Sequence, residues 1–162
     1  METEKIMQEF MILQQCLEEA ERPGKIFMGK GGYSIMLDGN ELEENTKTGE
    51  TGRNPAMLLL SVLSDSKGKT EYLLSVTQTI YYGADKEDKI SDWLNEWQSN
   101  IYSLGVIPDH SKRTLLLKSA FLLAEGTERL SPAVLGETID SFRREADMLY
   151  DMITETNRRK KI

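Results

Sequence analysis

Few residues in this chain of 162 have chemistry to offer, and their spacing limits what that chemistry is. His110 is the sole histidine, which removes any multi-histidine metal site and narrows general acid–base catalysis. It sits in the polar run Asp109-His110-Ser111-Lys112, so an exposed turn residue is expected. Cys16 is the sole cysteine, which excludes an internal disulfide and fits a reducing cytoplasm. It abuts an apolar stripe and reads as a buried structural thiol, and nothing local supports a Cys16–His110 nucleophile pair. Gly29-Lys30-Gly31-Gly32 has the composition of a phosphate loop but not the glycine-lysine-serine/threonine ending that opens a helix. A tight hairpin turn is the reading. Asp38, Asn40, Glu41, Glu43 and Glu44 gather carboxylates as a calcium loop does, yet Glu43 stands where that loop needs its glycine. A solvated acidic loop is expected there. With no acid pair, triad or cofactor fingerprint, the sequence predicts a protein that is not an enzyme, with no cofactor, no metal and no small-molecule substrate.

Other residues suit binding better than catalysis. Trp93 and Trp97 lie one helical turn apart with Ile101 a turn beyond, an arrangement that serves either a core or an exposed aromatic seam. Met7 and Met11 widen the apolar stripe of the first helix, and Met28, Met36 and Met57 follow in the same half of the chain. Flexible thioethers fill core gaps and also adapt to varied partners. Trp93, Trp97, Ile101, Met7, Met11 and Tyr33 are therefore the candidate partner or dimer surface.

The elements that position these residues follow from periodicity. Thr3 to about Glu21 reads as a helix with Ile6, Phe10, Leu13 and Leu17 in one stripe, ended by Arg22-Pro23-Gly24. Lys25–Gly29 and Tyr33–Asp38 read as hairpin strands. Glu41–Pro55 is polar and is expected to be a long mobile loop. Ala56–Ser64 (AMLLLSVLS) is apolar on both faces, as a central strand is. Thr70–Tyr82 alternates, with Tyr72, Leu74, Val76, Ile80 and Tyr82 toward a core and Glu71, Ser75, Thr77 and Thr79 nearer water.

Asp85 to Leu104 predicts a second helix on the spacing of Ile90, Trp93, Leu94, Trp97, Ile101 and Leu104, with Gly105 as its C-terminal cap. Val106-Ile107-Pro108 is a short extended piece. Arg113–Ala124 fits a helical stripe as well as a strand; the turn before it and Gly126 after it decide for strand. Ser131-Pro132 then caps a long helix in which Leu135, Ile139, Phe142, Ala146, Leu149 and Ile153 share one side. The fold predicted is α+β, an antiparallel sheet with helices packed on one face, in the order α-β-β-β-β-α-β-β-α. It forms a single domain over residues 1–162, with the loop at about 41–55 and a basic tail at 154–162.

Composition narrows the partners. A net charge of -7 argues against a nucleic-acid binder, since phosphates need a basic footprint and the only basic cluster is Arg158-Arg159-Lys160-Lys161. No apolar run reaches the ~20 residues of a membrane helix. Met1-Glu2-Thr3-Glu4-Lys5 lacks the basic and apolar regions of a secretory signal, so no membrane contact and a cytoplasmic location are expected.

One arrangement resembles a known family. The second helix with Trp93-Leu94-Asn95-Glu96-Trp97 leads to a returning hairpin of Leu104–Ile107 and Arg113–Leu123. Leu130-Ser131-Pro132-Ala133-Val134-Leu135 then opens the last helix, which runs to Ala146-Asp147-Met148-Leu149-Tyr150. From about Ile90 to Tyr150 this is similar to the type III secretion chaperone-like superfamily, which includes the Tir-type secretion chaperones and the YbjN-like bacterial proteins. The first half is similar in order of elements only, and the Glu41–Pro55 insert departs from the short chaperones. The resemblance implies a small, acidic, cytoplasmic protein, typically a homodimer, that holds a client polypeptide segment on apolar patches without ATP. For the YbjN-like members it implies a regulator or adaptor that binds a folded partner. With it comes the expectation of a dimer seam along the second helix.

Overall fold

The computed structural model describes residues 2–29, 32–37, 52–64, 67, 70–99, 104–123 and 130–154. Three helices and seven strands follow in the order α1 (Glu2–Glu19), β1 (Gly24–Gly29), β2 (Gly32–Leu37), β3 (Gly52–Arg53), β4 (Met57–Ser64), β5 (Thr70–Tyr81), α2 (Glu87–Ser99), β6 (Gly105–Asp109), β7 (Thr114–Leu123) and α3 (Pro132–Thr154). A single 3-10 turn, Ala84–Lys86, precedes α2. All strand pairs are antiparallel, in the spatial order β1-β2-β4-β5-β7-β6, with β3 beside β5. The predicted α+β class and the antiparallel sheet are what the chain forms.

The long central strand β5 sets the frame. Leu58 of β4 pairs with Val76, and Leu115 and Leu117 of β7 pair with Ile80 and Gln78. On the same face Ile35 of β2 pairs with Leu58. The helices cover this face. Phe10, Leu13 and Leu17 of α1, Ile90 of α2, and Leu135, Ile139, Phe142, Leu149 and Ile153 of α3 close one core with it. α1 lies on β1 and β2, while α3 lies on β5 and touches both other helices. Burying apolar area at ~25 cal/mol per Å² makes this single interface the main source of stability.

The start of α3 is fixed as the sequence predicts. The Ser131 hydroxyl accepts from the Val134 amide at 3.5 Å, and Pro132 takes the first helical position, where its missing N–H costs nothing. The end of α1 passes through Glu21 at a φ of 59°, a left-handed position that closes the helix, with the Arg22 amide donating to the Leu17 carbonyl at 2.8 Å.

Two boundaries differ from expectation. Gly52 and Arg53, inside the predicted loop, form β3 and pair with Tyr81 and Ile80. From Arg53↔Ile80 to Met57↔Thr77 the β3–β4 side has one residue more than β5, a bulge in which Pro55, lacking an N–H, needs no ladder partner. Residues 41–51 of that loop, and 155–162 of the predicted tail, lie outside the described residues. Gly105 does not cap a helix: α2 is described to Ser99, and Gly105 opens β6 opposite Lys118.

Candidate binding surfaces

The chemically interesting residues are dispersed. Cys16 is buried in α1, its thiol donating to the Leu130 carbonyl at 3.4 Å; burial, reinforced by Glu19, pushes its pKa up, away from a reactive thiolate. His110 is exposed in the β6–β7 turn. That turn is organised by Asp109, whose Oδ1 accepts from the Ser111 hydroxyl at 2.7 Å and from the Ser111 and Lys112 amides, which together hold its pKa low. Gly29 pairs with Gly32 at the β1–β2 hairpin, where Gly32 has a φ of 113° that no other residue adopts easily. Lys30, Gly31 and the acidic stretch 38–44 lie outside the described residues. Among the described residues, no three histidine, cysteine, aspartate or glutamate side chains come together as metal ligands. A shallow cavity of about 330 Å³ between β7 and α3 is lined by Ser119, Val134, Glu137, Thr138, Ser141 and Phe142. Glu137 is its single ionisable group.

The predicted partner residues separate into two groups. Trp93 is 8% exposed and belongs to the core, with the Lys86 ammonium 6.0 Å from its ring centroid. Trp97 lies in α2, but its side chain, like the whole of Ile101, falls outside what is described. Met7, Met11 and Tyr33 instead gather at one margin. Met7 and Met11 are one turn apart on α1, flanking the buried stripe, and Tyr33 of β2 tilts against the Phe10 ring at 5.8 Å. Met28 of β1, paired with Tyr33, completes this margin. Met28 is 75% exposed and Met11 57%, both large for apolar side chains on a folded domain.

A second surface is the face of the sheet away from the helices. One row across it reads Phe27, Ser34, Leu59, Ser75, Ala120; the next reads Lys25, Met36, Met57, Thr77, Lys118. Leu73–Leu122 and Leu116–Ile107 pairs flank these rows. Phe27, Leu59, Ile107 (54%) and Leu122 (52%) are exposed, and among the described residues no helix packs over them. Both faces of β4 being apolar predicts burial on both; the structure buries only the face carrying Leu58. The signal for this surface was present in sequence, as apolar residues at the outward parity of four strands. Ser75 and Thr77, expected nearer water, are buried, at 2% and 6% exposed.

No protein-family model matches the chain, and no curated protein sequence matches it.

Proposed function

We propose that this chain is a non-enzymatic protein-binding module that holds an extended client polypeptide segment, as the secretion chaperones it resembles do, without ATP. The observation that supports this is the margin formed by α1, β1 and β2, where Met7, Met11, Met28 and Tyr33 present adaptable apolar side chains beside what is, among the described residues, an edge of the sheet. Strand β1 is the end of the sheet among the described residues, so its outer N–H and C=O groups are open to an added strand. Main-chain pairing supplies affinity with little dependence on client sequence, and the methionines supply tolerant side-chain contacts.

Hydrogen exchange on the full chain, with and without a panel of extended apolar peptides, tests the reading. Protection of the β1 amides on peptide addition, lost in Met11→Glu/Met28→Glu, supports it. Protection confined to other elements, or binding only of a folded partner with β1 unprotected, replaces it with an adaptor role.

A further inference from the structure

We infer that Met28 and Met11 form a reversible oxidation site, at which a hydroperoxide converts two exposed thioethers to sulfoxides and so turns off capture of an apolar strand at the β1 margin. The switch rests on the client-binding reading of that margin; the modification itself does not.

The fold strips Met28 of cover. Its cross-strand neighbour is Tyr33, and the next pair toward the hairpin is Gly29 with Gly32, which bring no side chains to that side. A Cβ added at either glycine would meet no atom within 4 Å, so the space beside Met28 is open. Strand β1 has no outer neighbour among the described residues. Met28 is accordingly the most exposed large apolar side chain among them.

Met11 belongs to the same border. Met7, Met11 and Gln14 fall on one side of α1 by their spacing of four and three. The Gln14 side-chain amide donates to the Gly24 carbonyl of β1 at 3.1 Å, which sets that side of the helix along the strand. Because the chain reverses between Glu19 and Gly24, the methionines of α1 follow β1 toward Met28.

Oxidation of a thioether needs access and little else, since no proton has to leave first as it does from a thiol. The sulfur lone pair attacks the terminal oxygen of the hydroperoxide. The O–O bond breaks as the S–O bond forms, sulfur gives up two electrons, and water or an alcohol leaves. Methionine sulfoxide reductase reverses the step: a pair of thiols becomes a disulfide and the oxygen departs as water. Cys16 cannot serve as the sensor instead, being buried with its thiol donating to the Leu130 carbonyl. Met7, Met36, Met57 and Met152 are half-buried, and the exposed Met148 lies in the second half of α3, outside the margin.

A sulfoxide replaces a flexible apolar side chain with a polar one. On Met28 and Met11 the new oxygen stays in water while the margin is empty, so the fold is spared. A strand docked beside β1 has to desolvate that oxygen, and binding carries the penalty.

The test treats the full chain with hydrogen peroxide and maps the oxidised methionines by mass spectrometry. Hydrogen exchange of the β1 amides with an alternating valine–threonine peptide is followed before peroxide, after it, and after reductase with dithiothreitol. Met28 and Met11 are expected to gain oxygen ahead of the half-buried methionines with unchanged circular dichroism. The dissociation constant of the peptide is expected to rise by about tenfold or more and to recover with reductase. Met148→Leu should respond to peroxide as the wild type does, whereas Met11→Leu/Met28→Leu should keep after peroxide whatever protection it had before. Oxidation without regard to exposure, protection that survives oxidation of both methionines, or peroxide-induced loss in the double leucine variant overturns the proposal and leaves the client-binding reading standing. Absence of protection before any peroxide is added overturns the client-binding reading and the switch together.

Discussion

Arg22 clasps Asp140 across 118 residues of sequence: its Nε donates to Oδ1 at 2.8 Å and its Nη2 to Oδ2 at 2.6 Å. The pair ties the end of α1 to the middle of α3, the two helices that cover most of the sheet. A planar guanidinium meeting both carboxylate oxygens fixes direction as well as distance, which lysine at this position would not.

The Asp140 carboxyl is held below its usual pKa, first by the hydrogen bond from Arg22 and then by the positive field of Arg22, Arg143 and Arg144. A depressed folded pKa means that the stabilisation is complete above the unfolded value of ~3.9 and fades as pH falls through the lower folded value. Asp140→Asn is therefore expected to lower the midpoint of thermal unfolding at neutral pH. The difference from wild type should vanish in strong acid, and melting curves across an acid series check it.

Two glycines are expected to respond to alanine with opposite signs. A Cβ on Gly24 would meet Ile35 Cγ2 at 2.6 Å and the Met36 carbonyl oxygen at 2.9 Å, and the backbone atom cannot step aside. Gly24→Ala should cost about 1–3 kcal/mol by overpacking. A Cβ on Gly136 would meet Ala20 at an ordinary 3.6 Å in the middle of α3. Gly136→Ala should add up to about 1 kcal/mol through helix propensity. Urea unfolding of the two variants measures both.

Tyr82 is buried just after β5, and its hydroxyl has no hydrogen-bond partner among the described residues. Burial also pushes its pKa up, so the group stays neutral through the physiological range. A buried hydroxyl left unmatched costs about 1–3 kcal/mol of desolvation, and removing it returns part of that. Tyr82→Phe should be neutral to stabilising by about 1 kcal/mol, measured by the same denaturation.

Arg53 of β3 lies with its guanidinium 4.5 Å from the centre of the Tyr150 ring and pairs with Asp147. A flat guanidinium makes broader contact with an aromatic face than a compact ammonium does. Arg53→Lys keeps the charge and loses the stack, and should cost about 0.5–1 kcal/mol. Exchange of the Asn54 amide, which donates to the Thr79 carbonyl at 3.0 Å, should quicken as β3 loosens.

Elements with long periods were readable from sequence. The seven-residue buried stripe of α3 and the serine-proline start define that helix outright, and the alternation from Tyr72 to Tyr82 defines β5. β7 was ambiguous by composition, because leucine and alanine prefer helix, and became a strand through the turn that precedes it. β3 left no trace, since two residues carry no period and its pairing with Tyr81 and Ile80 is purely tertiary. The exposure of Met11 and Met28 is not legible in sequence, because methionine fills cores and surfaces alike. Nor is the openness of the outer sheet face, because apolar residues on both faces of β4, Leu59 among them, read as burial on both.

Pro108 stands in β6 at the far border of the sheet, opposite Leu115 of β7. A residue without an amide hydrogen, locked in φ, makes poor footing for a neighbouring strand. The six-residue β1 at the other border has no such block. A guest strand of the kind proposed would therefore be admitted past β1 and disfavoured past β6.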